Sequence, residues 1–167
     1  MKANFLGVVL PLFFFACTSQ ESTELSSQEK AQIINEVKAV ADSIWSKWEA
    51  LDPEGALLYY SDSPDWASFN SEGTRYNFEA YKKLAASFKS SATAYKWSTT
   101  RRDFVFVSTD IVICAWVGKD EASWKSGDKM TCDPHAYTLV FKLIAGQWKL
   151  VYSHDSGIPV IHKGGKG

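Results

Sequence analysis

An α+β domain, with helices first and a strongly bent antiparallel sheet after them, is what the sequence predicts. Three observations carry this: an amphipathic stripe from Glu29 to Leu51, two further helix starts marked by capping residues, and four long alternating runs in the C-terminal half. In the first, Ile33, Val37, Val40, Ile44, Trp48 and Leu51 recur at three- and four-residue steps, and Ile34, Ala41 and Trp45 widen the stripe. Asp52-Pro53-Glu54 supplies an N-cap, a first-turn proline and an acidic first turn for a short helix through Tyr60, which Ser61-Asp62-Ser63-Pro64 ends. Trp66, Ser68 and Asn70 alternate with Ala67 and Phe69 as a short strand, and Ser71-Glu72-Gly73 turns it back. Asn77 caps a third helix whose inner stripe is Phe78, Tyr81, Leu84, Ala85 and Phe88. Strands follow near 94–107, 110–119, 129–144 and 147–156, with a turn at Ser126-Gly127-Asp128. A sheet curved around a few helices encloses a conical cavity.

The last two strands meet through a tight Ala145-Gly146 turn, which sets Leu143 opposite Trp148 and Phe141 opposite Leu150. Continued without interruption, that register sets Leu139 opposite Tyr152 and Tyr137 opposite His154, all on one apolar inner face. His154 is then expected inside and Asp155 outside. The run His154-Asp155-Ser156 therefore cannot be a catalytic triad, because successive strand residues face opposite sides. On the other face Val112, Cys114, Trp116, Ala136, Thr138, Val140 and Val151 form an expected apolar patch, read as a homodimer surface, with a bulge that turns Trp116 into the core as the competing reading.

Composition excludes some functions. A formal net charge of -1 with no long basic run lacks the electrostatic footprint of a nucleic-acid binder. Seven tryptophans imply an aromatic core or a ring-lined cavity. At the N-terminus, Lys2 precedes an apolar run from Phe5 to Ala16 that is too short to span a bilayer. It ends in Phe14-Phe15-Ala16-Cys17, which resembles a bacterial lipoprotein signal with Phe14 in place of the usual Leu. The resemblance implies a signal peptide over 1–16, lipidation at Cys17, a polar tether over 17–28, and a chain anchored to a membrane of the cell envelope. The folded domain is expected over 29–160 and a flexible tail over 161–167. Export allows a disulfide between Cys114 and Cys132, which a hairpin turn near Ser123 would pair. No zinc-type Cys or His spacing is present, so neither metal nor cofactor is expected.

The end of the chain, Trp148-x-Leu150-Val151-x-x-His154-x-Ser156-Gly157-x-Pro159, resembles the last strand of SnoaL-like proteins and of the calcium/calmodulin-dependent protein kinase association (hub) domain. Both belong to the NTF2-like superfamily, and the resemblance implies its cone: a bent antiparallel sheet wrapped around about three N-terminal helices. That superfamily contains enzymes and non-catalytic modules alike. Ketosteroid-isomerase-like members use a Tyr on the first helix and an Asp on the first strand. Here Ile44 and Asn70 stand near those places, and an amide cannot serve as a general base. The hub domain's pocket arginines have only Arg75, Arg101 and Arg102 as counterparts by type.

Within the expected cavity, His154 is the candidate acid or base, with Tyr137 as its cross-strand partner and His135 near the mouth. A purely structural histidine is the competing reading. Trp45, Tyr60, Trp66, Tyr81, Trp97 and Tyr152 complete the expected ligand-binding ring, which suits a small apolar or aromatic ligand. With no carboxylate expected inside at the aligned positions, the sequence favours a non-catalytic ligand-binding or assembly module. A SnoaL-like enzyme that transfers protons without a cofactor is the alternative.

Overall fold

The computed structural model describes residues 25–165. The signal segment, Cys17 and most of the tether lie outside the described residues. Helix α1 (Ser27–Glu49) starts with a reciprocal capping box: the Ser26 side chain accepts from the Glu29 N–H, and the Glu29 carboxylate accepts from the Ser26 N–H. Its inner stripe, Val37, Ala41, Ile44 and Trp45, is buried. The short α2 (Pro53–Leu57) and the longer α3 (Phe78–Ser91) begin at the expected caps. Asp52 Oδ1 accepts from Gly55 N at 3.0 Å, and Asn77 Oδ1 accepts from Ala80 N at 2.8 Å. No helix among the described residues is long and apolar enough to cross a membrane.

The strands are β1 (Ala67–Phe69), β2 (Arg75–Tyr76), β3 (Ala92–Ser108), β4 (Ile111–Trp124), β5 (Lys129–Ile144), β6 (Gln147–Gly157) and β7 (Val160–His162). They form one sheet in the order β2-β1-β6-β5-β4-β3, with β7 added to β5. The four long strands β3 to β6 pair antiparallel as expected, and the short β1 runs parallel to β6, so the sheet as a whole is mixed. The paired strand β7 also carries the ordered chain past residue 160, into the segment read as a tail.

The β5–β6 turn forms as expected. Ala145 and Gly146 have φ of 49° and 77°, the two positive values a type I′ hairpin needs, and Leu143 pairs with Trp148 and Phe141 with Leu150. Then the register shifts. Val140 pairs with Tyr152, leaving Val151 as an extra residue on β6. At this point the other edge of β6 is engaged by the chain after α2: Leu150 N donates to Tyr59 O, and Ser61 N donates to Leu150 O. Beyond the bulge every β6 side chain changes face. A second irregularity places Asp133 and Pro134 of β5 against Lys119 alone, between the Gly118–His135 and Asp120–Cys132 pairs.

Several expectations are thereby corrected. His154 pairs with Thr138 instead of Tyr137 and is exposed on the convex face. Tyr152 lies on that face too, against Phe69. Val112, Cys114 and Trp116 pair with Phe141, Leu139 and Tyr137 and are fully buried, so the apolar patch expected from them on the convex side is part of the core. Cys114 and Cys132 are free thiols opposite Leu139 and Asp120, so they do not pair.

Candidate functional site

Between α1, α3 and the concave sheet face lies a cavity of about 360 Å³. That volume is at the small end for ligand sites and suits a compact ring compound. Its walls are aromatic. Trp45, Trp48, Tyr60, Tyr81, Tyr95 and Tyr137 line it, and Trp66 and Trp97 stand behind them, packed on Tyr60 and Tyr81 and on Trp45 and Tyr137 respectively.

One end of the cavity is polar, and the two bulges build it. Before the β5 irregularity the inward residues are Met130 and Cys132; after it they are His135, Tyr137 and Leu139. After the β6 bulge Ser153, Asp155 and Gly157 replace the expected Tyr152 and His154 on the inner face. Asp120 comes from β4 by simple alternation with Trp116 and Gly118. Gly157 is necessary there, because a side chain at that position would run into Cys132 Sγ and His135.

His135 is the centre. It is 7% exposed and packs against Tyr137, with ring centroids 4.4 Å apart and the planes tilted by 39°. Its Nδ1 stands 3.0 Å from Asp120 Oδ1, and its Nε2 stands 3.8 Å from Asp155 Oδ2. The Nδ1 contact is electrostatic and poorly aligned as a hydrogen bond. His135 Nδ1, Asp120 Oδ1 and Asp155 Oδ1 are all buried without a hydrogen-bond partner. Unmet polar atoms gathered at one place make this end of the cavity the candidate site.

Burial pushes the Asp155 carboxyl above its ordinary value, and the nearby His135 only partly offsets this. Burial also raises the Tyr81, Tyr95 and Tyr137 phenols well above theirs, so they stay protonated and can donate. The Cys132 thiol is pushed up to about 11 by burial and by Asp120 and Asp155, so it is a poor nucleophile. Asp120, Cys132 and His135 bring donor atoms within 4.8 Å of one another and are the residues that could hold a divalent cation.

The sequence of this chain matches no family profile and no curated protein. Its structure is similar to several solved ones. One is a protein from Novosphingobium aromaticivorans, provisionally described as a scytalone dehydratase, with a TM-score of 0.73 at 11% identity over 85% of this chain and 94% of that one. A type 3 hexachlorocyclohexane dehydrochlorinase from Novosphingobium barchaimii has a TM-score of 0.66 at 13% identity, over 81% and 94%. A provisionally assigned dehydratase of the NTF2-like family from Streptomyces avermitilis has 0.66 at 12%, over 77% and 97%. The fold is the NTF2-like cone. At such identities the likeness carries the fold and nothing finer.

Of the expected ligand-binding residues, the NTF2-like cavity brings together Trp45, Tyr60, Tyr81, His135 and Tyr137. Trp66 and Trp97 back it, while Tyr152 and His154 lie outside. Ile44 is core, and Asn70 holds a turn by accepting from Thr74 N at 2.8 Å. Arg75 and Arg101 are exposed, and Arg102 stacks 3.5 Å over Trp116 while bonding Asp42 at 2.8 Å. Sequence reasoning missed Asp120, Cys132, Ser153 and Asp155. The available signal was Pro134, since a proline inside a central strand marks a bulge.

Proposed function

We propose that this chain is an acid–base enzyme of the elimination type, working on a small ring-bearing substrate with its own side chains. One observation carries the reading: two carboxylates, Asp120 and Asp155, flank a buried imidazole at the end of an aromatic cavity. The argument for a non-catalytic module rested on the lack of an inward carboxylate, and two are inward. Dehydratases and a dehydrochlorinase among proteins of the same fold are consistent with it. Tethering to the cell envelope through a lipid on Cys17 belongs to the same proposal and rests on the N-terminal run.

In this reading Asp120 orients His135 from the Nδ1 side, and Nε2 takes a proton from a substrate carbon. The C–H electron pair forms the new double bond, and the bond to the leaving oxygen breaks. Asp155, in its protonated form, gives its proton to that oxygen, which departs as water. The His135 proton then passes to Asp155 and restores the starting state. Tyr137 donates to a substrate carbonyl and stabilises the carbanion-like charge.

Proton abstraction is testable before the substrate is known. Acetophenone and 2-aminoacetophenone are incubated with the protein in deuterium oxide, and exchange at the carbon beside the carbonyl is followed by NMR. Exchange above the buffer rate is expected with the wild type, and His135→Ala should lower it by a factor of ~100 or more with the fold retained. Exchange at the buffer rate, or exchange unaffected by His135→Ala, overturns the reading.

A further inference from the structure

We infer that the ligand of this cavity is a small organic cation, a protonated or quaternary amine on an aromatic or apolar body. The inference takes the same cavity as the proposed function but does not need its chemistry.

Charge is the first argument. Among the described residues the carboxyl and imidazole groups lining the cavity are Asp120, Asp155 and His135; no Lys or Arg lines it. The lining thus offers two carboxyl groups and no fixed cation. An anionic ligand would enter against that field, whereas a cation would be drawn to it.

Hydrogen bonding is the second. Asp120 Oδ1 and Asp155 Oδ1 are buried acceptors with no well-aligned donor, since His135 Nδ1, 3.0 Å from Asp120 Oδ1, is poorly aligned with it. Leaving both unmet is costly, and an ammonium group supplies strong donors with the complementary charge. A carboxylate or phosphate would bring only more acceptors.

The wall is the third. Trp45, Trp48, Tyr60, Tyr81, Tyr95 and Tyr137 surround the space with ring faces and edges, the setting in which desolvated organic cations are held. The fold already uses this chemistry within itself: the Arg102 guanidinium sits 3.5 Å over the Trp116 ring, which packs at 4.5 Å on the cavity-lining Trp45.

The test uses the full chain in a neutral detergent with EDTA present, titrated calorimetrically with benzyltrimethylammonium, benzylamine, benzyl alcohol and benzoate. Both cations should bind at least about tenfold more tightly than benzyl alcohol, with benzoate weakest. The preference should fall below about threefold in Asp155→Asn, and in Asp120→Asn if the first variant misfolds. A smaller preference in the wild type, a preference that survives whichever substitution folds, or binding seen only when Zn²⁺ replaces EDTA overturns the inference. The last outcome would assign Asp120, Cys132 and His135 to a metal instead. Cation preference without deuterium exchange would keep the ligand class and remove the enzyme reading; exchange without cation preference would do the reverse.

Discussion

The concave face of the sheet has two halves built from the same three strands. At one end Val112, Phe141, Trp148 and Leu150 are sealed, with Val112, Phe141 and Leu150 at 0% exposure. At the other, Asp120 and His135 are almost as deeply placed and Asp155 is half-buried, yet all three leave buried polar atoms unpaired. Both halves are made by alternation, and both are packed by α1 or rings attached to it. The difference lies in what burial does: in the first half it stabilises the fold, and in the second it costs stability that a ligand can return. The bulge at Val151 lies on the boundary and the irregularity at Asp133-Pro134 lies inside the second half, and each re-aims the side chains that follow it.

Substitutions in the two halves should therefore act with opposite sign. Phe141→Ala, in the sealed half, should destabilise by about 3–5 kcal/mol, because it removes a large ring from a close-packed place. A loss under about 1 kcal/mol in denaturant unfolding would mean that this half is not the stabilising one.

Asp155→Asn should have a smaller effect in the other direction and raise Tm by a few degrees at neutral pH. The sign follows from the raised carboxyl. A carboxylate harder to ionise folded than unfolded favours the folded state fully below its unfolded value, near 3.9, and that contribution is lost as pH rises through its folded value. The advantage of the Asn variant should thus be full above that folded value and shrink toward pH 4 and below. Thermal scans across pH that find Asp155→Asn less stable at neutral pH would contradict it.

The smallest effect belongs to His154→Ala. On the exposed convex face it should change stability by no more than about 0.5 kcal/mol and leave amine binding unchanged. A loss of binding would return His154 to the cavity and displace the β6 register with it.

Much of the fold is legible in the residues. The stripe of α1, the Asp52 and Asn77 caps and the Ala145-Gly146 turn are local signals, and local signals specify local structure. Pairing next to the turn is legible for the same reason, down to Phe141 and Leu150. The site is less legible because it lies past the bulge. One extra residue at Val151 reverses the face of everything after it, and nothing about a valine in a strand announces that it is the extra one. What selects it is non-local: the Tyr59–Ser61 segment bonding to Leu150 on the far edge. Asp120 was accessible in principle, since it follows Trp116 by two regular steps. It became an inward residue only once Trp116 was placed opposite Tyr137.

The crowding of indoles beside the cavity has an optical consequence. Trp45, Trp97 and Trp116 pack with ring centroids 4.5 to 5.8 Å apart. At such separations their ultraviolet transition dipoles couple, and the near-ultraviolet circular dichroism depends on how each ring is oriented toward the other two. Trp45 is the member of that trio that faces the cavity. An occupant that turns its ring by a few degrees rewrites the coupled spectrum of all three, so the chain carries an unlabelled reporter of its own occupancy.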